Sequence, residues 1–332
     1  MNLLLKHINK IAKFLFLRLE VYAISKITFK VYYKNKNSER VHQKGQINKK
    51  TLIYMADGRK NHGGLSDRLR GIASVYLLAR DLDVDFKIHF TSPVNLLNYL
   101  LPNEYDWRID EKDIIYSTKH SAIYQFKSYR DKNNRMNTMK CLLKHYHQIH
   151  LSSTDILADR EYGSIFDYLF KPVDVLQSKL EHHITQLGGK GKYISITLRF
   201  LSLLGDFKDY NDVTLPENEQ NILVSRCLEH ILEIYNENES INDKVLVCSD
   251  SIKFLNAAKN KYNFVYIIPG DIAHIDFMPG QNVDIYMKSF IDYLMIANSC
   301  KVYLIVEKGM YESGFAYRAS LHLSPYYVKW YK

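Results

Sequence analysis

The sequence has few cysteines, and none of them is spaced as a disulfide framework or a redox motif. The four residues, Cys141, Cys227, Cys248 and Cys300, lie mostly within apolar runs and include no CxxC pair. This pattern argues against a disulfide-stapled secreted domain and against a cysteine-based zinc site. It is typical of reduced core residues in a cytosolic protein.

Proline is scarce as well, with seven residues against 26 tyrosines. Disordered chains are rich in proline and poor in aromatic residues, so extensive disorder is not expected. At 332 residues the chain is long enough for two domains with sizeable cores.

Long apolar runs are absent from the N-terminal region, where lysines interrupt every window long enough to cross a bilayer. The region also lacks the clean apolar core and the small-residue cleavage site of a signal peptide. Residues 4–22 instead have the pattern of an amphipathic helix. Its predicted apolar face comprises Leu4, Ile8, Ile11, Leu15, Leu19 and Tyr22.

Acidic residues are rare in the same region. Residues 1–50 hold 12 lysines and arginines against two acidic residues, whereas the remainder holds 33 basic and 34 acidic residues. A nucleic-acid-binding protein usually carries its basic stripe on the folded domain, so no nucleic-acid partner is predicted. We predict that residues 1–36 form a basic amphipathic helix at an anionic surface, the inner face of the cytoplasmic membrane. The alternative is a helix that docks on the protein's own core.

A glycine-rich turn at residues 63–71 joins a predicted strand, 52–55, to a predicted helix, and a second strand at 86–90 completes a βαβ unit. Glycines allow the backbone to turn tightly and a ligand to approach closely. The free N–H groups and the dipole of the helix favour an anion at this end, and Arg68 and Arg70 add positive charge. The alternative is a helix start whose arginines meet surface carboxylates.

Composition divides the rest of the chain into a linker and two domains. The linker is predicted at residues 37–50, the first domain at 51–188 and the second at 192–332, with a glycine-rich hinge at 188–192. Predicted strands alternate with predicted helices in both domains, which is typical of parallel α/β sheets with ligands at the carboxyl ends of the strands. We therefore predict two Rossmann-like domains that face each other across a cleft, preceded by the amphipathic helix.

Polar residues follow the predicted strands of the second domain. They are Arg199, Asp206, Ser249, Asp250, Ser251, Ser313, Gly314 and Phe315. Any one of them is weak evidence, because an aspartate after a strand is more often a helix cap than a ligand contact. Their joint placement on strand ends, together with the glycine-rich turn, indicates a ligand site.

These motifs resemble those of the fucosyltransferase-like group of two-domain glycosyltransferases, which includes nodulation-type α1,6-, plant cell-wall and protein O-fucosyltransferases. The segments that carry the resemblance are Gly63–Gly71, Thr197–Arg199, Gly205–Asp206, Cys248–Ser251 and Ser313–Ala316. They are similar to the group's Gly-x-Gly-Asn-Arg/Gln turn, His-x-Arg strand, Gly-Asp pair, Ala-Thr-Asp-Ser segment and Ser-x-Phe-Ser/Ala segment. The sequence departs from the group at Thr197, which replaces the histidine, and at Leu201–Leu204, which lengthen the interval before Gly205.

The resemblance implies the GT-B fold, a GDP-sugar donor (typically GDP-fucose), inversion at the sugar carbon, and no required metal or other cofactor. Arg199 would bind the β-phosphate and the leaving oxygen, and Asp250 would help to hold the nucleoside. Residues 313–315 would lie against the diphosphate. The predicted donor-binding residues are Gly63, Gly64, Arg68, Asp206, Ser249, Asp250, Ser251, Ser313, Gly314 and Phe315.

An inverting transfer also needs a base near the acceptor hydroxyl. Asp57 and His62, beside the glycine-rich turn, are the candidates, and the alternative is that both are ordinary loop residues. Two possible metal motifs are assigned no metal: the acidic run 81–85 is interpreted as solvated residues, and the histidine run 145–150 has no cysteine or acidic residues at ligand spacing.

The function predicted from the sequence is a bacterial, membrane-peripheral glycosyltransferase. It would move a sugar, with fucose as the first choice, from a GDP-sugar to a glycan or lipid-linked oligosaccharide in surface polysaccharide synthesis. Two alternatives stay open. One is a transferase of the same fold that uses another nucleotide sugar, and the other is a non-catalytic glycan-binding protein, which the altered motif at Thr197 favours.

Overall fold

The computed structural model describes residues 26–31, 33, 49–59, 62–126, 132–153, 159–207, 213–238, 240–241, 243–272, 283–322 and 326–331. The predicted amphipathic helix over residues 4–22 and most of the predicted linker lie outside the described residues. Within the described ranges, no helix is both long and apolar enough to cross a membrane.

Strands and helices alternate along the described chain. The strands are β1 (Thr51–Ala56), β2 (Asp85–Phe90), β3 (Leu100–Pro102), β4 (Ser121–Gln125), β5 (Gln148–Ser152), β6 (Phe170–Pro172), β7 (Ile194–Leu198), β8 (Val245–Ser249), β9 (Val265–Tyr266), β10 (Lys301–Val306) and β11 (Tyr326–Tyr331). The helices are α1 (26–31), α2 (Leu65–Asp81), α3 (Lys132–His145), α4 (Tyr162–Leu169), α5 (Asp174–Gln186), α6 (Glu217–Asn236), α7 (Ile252–Lys261), α8 (Val283–Ala297) and α9 (Gly314–Ser320). Three short 3-10 helices are Leu96–Asn98, Glu111–Asp113 and Asp159–Glu161.

The chain forms two compact units that do not follow a single break in the sequence. The first comprises Met1–His62, Arg68–Thr91 and Asp106–Ala158, and the second comprises Gly63–Asp67, Ser92–Tyr105 and Asp159–Lys332. This division differs from the ranges 51–188 and 192–332, because residues 159–188 belong to the second unit. The physical reason is packing, since α5 lies against α8 of the same unit.

The sheet of the first unit has four parallel strands in the order β2-β1-β5-β4. All six residues of β1 are buried, which explains its uninterrupted apolar sequence. Phe29 and Tyr33 of the N-terminal region pack into a small core of this unit with Ile53, Met55, Ile114, Tyr116 and Ile123. The described part of that region is therefore docked on the protein's own core.

The sheet of the second unit has five parallel strands in the order β11-β10-β7-β8-β9. The chain winds from β7 outward to β9 on one side and then outward from β10 to β11 on the other. The strand order therefore reverses between β7 and β10, and the carboxyl ends of these two strands form the topological switch point, where open α/β sheets bind ligands. The prediction of parallel α/β sheets is confirmed.

Three segments differ from what their sequence patterns predict. The pattern of residues 93–100 predicts a helix, but the segment is only a 3-10 turn followed by β3, because the Asn95 side chain accepts from Leu97 N–H and caps a short turn. The polar, basic composition of residues 118–140 predicts a mobile loop, but the segment contains β4 and most of α3. The pattern of residues 166–187 predicts one helix, but β6, which ends at Pro172, separates α4 from α5.

Candidate functional site

Arg199 follows β7 directly and lies at the switch point of the second unit. The carbon of its guanidinium lies 4.7 Å from the centre of the Phe207 ring, over the ring face. Its Nε lies 3.3 Å from Oδ2 of Asp250, and 21% of its side chain is exposed. The ring and the carboxylate thus orient a partly exposed guanidinium, the group that is best suited to bind a phosphate through two hydrogen bonds.

Asp250 holds the loop that carries Arg199. Its Oδ1 accepts from Phe200 N–H at 2.8 Å and its Oδ2 accepts from Leu201 N–H at 2.7 Å. Leu201 has a φ of +55°, a strained backbone conformation that these bonds stabilise. Burial raises the pKa of Asp250, while the charge of Arg199 and the two N–H groups oppose this increase. Both carboxylate oxygens are thus engaged by backbone N–H groups of the loop that follows Arg199.

Asp206 and the serines around Asp250 fix the start of α7. The Oγ of Ser251 accepts from Phe254 N–H at 3.0 Å and donates to Oδ2 of Asp206 at 2.9 Å. Oδ2 of Asp206 also accepts from the N–H of residue 253 at 2.8 Å, and Oγ of Ser249 accepts from Ser251 N–H at 3.2 Å. These residues therefore cap a helix and join it to the loop that follows Arg199.

The segment between β10 and α9 lies beside Arg199. Tyr311 N–H donates to the Arg199 carbonyl at 3.2 Å. Ser313 caps α9 by accepting from Phe315 N–H at 3.2 Å, and the Phe315 ring packs edge-on against Tyr293 at 5.3 Å. Gly314 is exposed, and an added Cβ there would meet no atom within 4 Å. The structure therefore brings this predicted segment to the same switch point as Arg199.

Glu307 is a buried acid at the switch point that the sequence analysis missed. It follows β10, and its carboxylate lies 2.7 Å from Nε2 of His230, whose Nδ1 lies 3.1 Å from Glu233. Its carbonyl accepts from Met310 N–H at 2.9 Å, which shapes the turn before Tyr311. An acid directly after a buried apolar strand is the same signal that marked Asp250.

Thr197 stands where the resembled motif has histidine, and its side chain bonds to the neighbouring strand of the sheet. Its Oγ1 donates to the Tyr303 carbonyl of β10 at 3.1 Å, and the side chain is buried. The replacement of histidine by threonine therefore also changes the chemistry at this position, because the Thr197 hydroxyl is hydrogen-bonded to the neighbouring strand.

The two candidate bases lie in the first unit. Asp57 forms an ion pair with Arg59, also accepts from Arg59 N–H at 3.3 Å, and exposes only 4% of its side chain. His62 is buried, with its ring centre 5.9 Å from that of Tyr54. The pairing of Asp57 suits a structural role better than proton abstraction.

The glycine-rich turn requires two of its glycines for different reasons. Gly63 has a φ of +76°, and a Cβ there would lie 2.6 Å from the carboxylate of Asp67. A Cβ on Gly71 would lie 1.8 Å from the carbonyl oxygen of Ser153, so α2 approaches the backbone after β5. Gly64 lies immediately before α2. Arg68 is buried in the first unit, with its guanidinium 5.2 Å from the centre of the Phe90 ring.

The two possible metal motifs hold no ligand set. The acidic run pairs with nearby basic residues, including Arg80 with Asp81 at 3.6 Å. His150 is buried and lies 2.7 Å from the Tyr33 hydroxyl, and burial lowers its pKa to about 3. In the described portion of the chain, no three or more His, Cys, Asp or Glu side chains are placed to hold a metal ion together.

No protein-family model and no curated protein matches the chain. Solved structures do match, and they show that the chain has the α/β fold of fucosyltransferases. One is the fucosyltransferase NodZ from Bradyrhizobium, with a TM-score of 0.52, 12% identity, and coverage of 82% of this chain and 92% of that one. Another is a mutant of Arabidopsis thaliana FUT1 in complex with GDP, with a TM-score of 0.56, 11% identity, and coverage of 95% and 78%. The resemblance to the fucosyltransferase-like group is confirmed at the level of fold.

Proposed function

We propose that the protein is an inverting, metal-independent glycosyltransferase that moves a sugar, with fucose as the first choice, from a GDP-sugar to a glycan or lipid-linked oligosaccharide. The observation that carries this proposal is the orientation of Arg199 at the switch point by Asp250 and Phe207. The fold supports it, since NodZ has been solved with GDP-fucose and with GDP. A role in bacterial surface polysaccharide synthesis is part of the proposal.

The proposed chemistry depends on charge that develops as the sugar–diphosphate bond breaks. Negative charge accumulates on the leaving diphosphate, and pre-oriented donors stabilise it most effectively. Arg199 would supply two N–H groups toward the β-phosphate and the leaving oxygen. The proposal keeps the GT-B arrangement that the resemblance implies, with the donor on the second domain and the reacting hydroxyl of the acceptor on the first.

Arg199→Lys tests the proposal, because lysine keeps the charge but loses the two-pronged geometry. Turnover should fall by roughly a hundredfold or more, as for other lost transition-state donors. GDP affinity should also fall, with little change in thermal midpoint. The matched control is Arg108→Lys, because Arg108 is another arginine whose Nε contacts an aspartate, at 2.8 Å from Asp106, but in the first unit. Near-native turnover in Arg199→Ala would remove the central residue of the mechanism.

The donor is tested by thermal-shift measurements with GDP, UDP and CMP. A ligand that binds the native state stabilises it, by about 2.7 kcal/mol at a hundred times its dissociation constant. We expect GDP to raise the midpoint most. A larger shift with UDP or CMP would assign another nucleotide sugar to the same fold.

The second candidate is a glycan-binding protein without catalysis, which the altered chemistry at Thr197 favours. The two candidates differ in one measurement. A transferase releases GDP from GDP-fucose when acceptor glycans are added, whereas a binding protein does not.

We also propose that residues 1–36 hold the protein at the inner face of the cytoplasmic membrane, on the strength of their charge and pattern. The test is binding to anionic liposomes before and after removal of residues 1–25. The deletion stops there because Phe29 and Tyr33 belong to the core of the first unit. Unchanged liposome binding by the shortened protein would refute this part of the proposal.

A further inference from the structure

Three tyrosines in the described part of the second unit are more than half exposed. They are Tyr311 at 55%, Tyr326 at 67% and Tyr331 at 55%. Tyr331 ends β11 and pairs in register with the last residue of β10, so it lies at the carboxyl end of these parallel strands. Tyr311 belongs to the segment that follows β10 at the same end. Tyr326, in contrast, begins β11 at the opposite end of the strand.

The carboxylate of Glu312 links the two tyrosines at the carboxyl end of the strands. Glu312 follows Tyr311 in the chain, and its Oε2 accepts from the Tyr331 hydroxyl at 2.9 Å. Its Oε1 forms an ion pair with Lys329, on the same face of β11 as Tyr331. The hydrogen bond from Lys329 lowers the pKa of Glu312, and half of the Glu312 side chain remains exposed. The cluster thus presents two aromatic rings and a fixed, ionised acceptor.

The cluster is connected to the proposed reaction centre within the second unit. The backbone N–H of Tyr311 donates to the carbonyl of Arg199 at 3.2 Å. This bond fixes the backbone of Tyr311 beside the residue that the proposed mechanism places on the leaving diphosphate.

We propose that Tyr311, Glu312 and Tyr331 form a carbohydrate subsite for a neutral glycan acceptor; this proposal rests on the proposed transferase function. The apolar face of a pyranose ring packs well on an exposed tyrosine, and sugar hydroxyls donate to a carboxylate. A few convergent polar groups among aromatic side chains are typical of small-molecule sites. The negative charge of Glu312 disfavours the diphosphate of the donor at this position, because like charges repel.

The test is binding of the full-length protein to an array of neutral hexose and N-acetylhexosamine oligosaccharides. Wild type should bind at least one glycan, and Tyr311→Ala and Tyr331→Ala should each weaken that binding by about tenfold or more, a loss equivalent to roughly 1.4 kcal/mol. Tyr326→Ala is the matched control, because it removes an exposed tyrosine from the opposite end of β11. Glu312→Gln should weaken binding as well, since it removes the charged acceptor.

Thermal midpoints and GDP-induced stabilisation are measured for the same variants, so that misfolding and donor effects are separated from glycan binding. Absence of glycan binding by wild type, or equal binding by all variants, would overturn the subsite. Loss of GDP stabilisation in Tyr311→Ala with unchanged glycan binding would also overturn it, by assigning Tyr311 to the donor. If wild type fails to respond to GDP but the tyrosine variants lose glycan binding, the transferase proposal fails while the subsite remains supported.

Discussion

Replacing Asp250 by asparagine tests the central feature of the site, which is that a buried carboxylate holds the loop carrying Arg199. The carboxylate accepts two backbone N–H bonds, at 2.8 and 2.7 Å, and contacts the guanidinium at 3.3 Å. Asparagine has one acceptor oxygen, so its amide nitrogen must face at least one of these donors. The least costly orientation places the nitrogen toward Phe200 N–H and keeps the oxygen for Leu201 and Arg199.

The magnitude follows from these contacts. A buried N–H left facing a donor costs about 1–3 kcal/mol. Loss of the negative charge beside Arg199 adds little to this cost, because the burial that raises the pKa of Asp250 already disfavours the charge. The total of roughly 1–3 kcal/mol corresponds to a fall in thermal midpoint of roughly 3–8 °C for a domain of this size. Turnover should fall at least about tenfold as well, because a misplaced guanidinium loses its orientation toward the diphosphate.

The assay combines differential scanning calorimetry, GDP-induced stabilisation and turnover for Asp250→Asn and for a control, Asp106→Asn. Asp106 also accepts from an arginine, Arg108, but both side chains are more than half exposed, so the control should be nearly neutral in stability. If Asp250→Asn kept both the wild-type midpoint and the wild-type turnover, the carboxylate would not hold the loop, and the orientation argument for Arg199 would be refuted.

Three further changes probe other parts of the structure. Gly71→Ala should destabilise the protein by about 2 kcal/mol or more in urea unfolding, because the new Cβ meets a backbone carbonyl; a loss no larger than that of Gly314→Ala would contradict this packing. His150 stays neutral when folded and has a pKa of about 3 instead of 6.5, so stability should fall as pH drops from 6.5 toward 4.5, by roughly 2–3 kcal/mol. His150→Gln should flatten that dependence in pH-resolved thermal scans, and an unchanged slope would exclude this group as its cause. Glu307→Gln should cost about 1–3 kcal/mol and lower turnover, because it weakens the side-chain bond to His230 that anchors the residue whose backbone carbonyl begins the turn before Tyr311; native values for both would assign Glu307 no positioning role.

Strands β1, β7, β8 and β10 could be predicted from the sequence, because both faces of each are covered and each appears as a short apolar run. Helix α6 begins directly after Pro216, where a helix start is also predictable. Strand β11 was not predicted. It lies at an edge of the sheet, and its Tyr326, Lys329 and Tyr331 are exposed, a pattern that does not resemble a buried strand.

The positions of the site residues could also be predicted, but their partners could not. Polar residues after parallel strands meet at one edge of a sheet, and this rule placed Arg199, Asp250 and Ser313 together. Which oxygen accepts from which N–H depends on how the loop of residues 199–207 folds against the start of α7. Asp250 and its bonded backbone N–H groups are 49 and 50 residues apart, and Glu307 and His230 are 77 apart. No local pattern contains information about pairs at such separations.

The hydrogen bonds around Asp250 indicate what each residue of the site does. The resemblance implies that Asp206, Ser249, Asp250 and Ser251 bind the donor, and in the structure their side chains bond to backbone N–H groups and to one another. A polar group satisfied in this way gains little from a ligand but fixes the position of what it holds. This hydrogen-bond network holds Arg199. Substitutions in the network should therefore lower turnover through Arg199, and they should lose most of their effect on turnover once Arg199 is replaced. Measuring turnover in the combined Arg199→Lys and Asp250→Asn variant expresses this as a coupling free energy. Losses that simply multiply would show that Asp250 acts on the donor independently of Arg199.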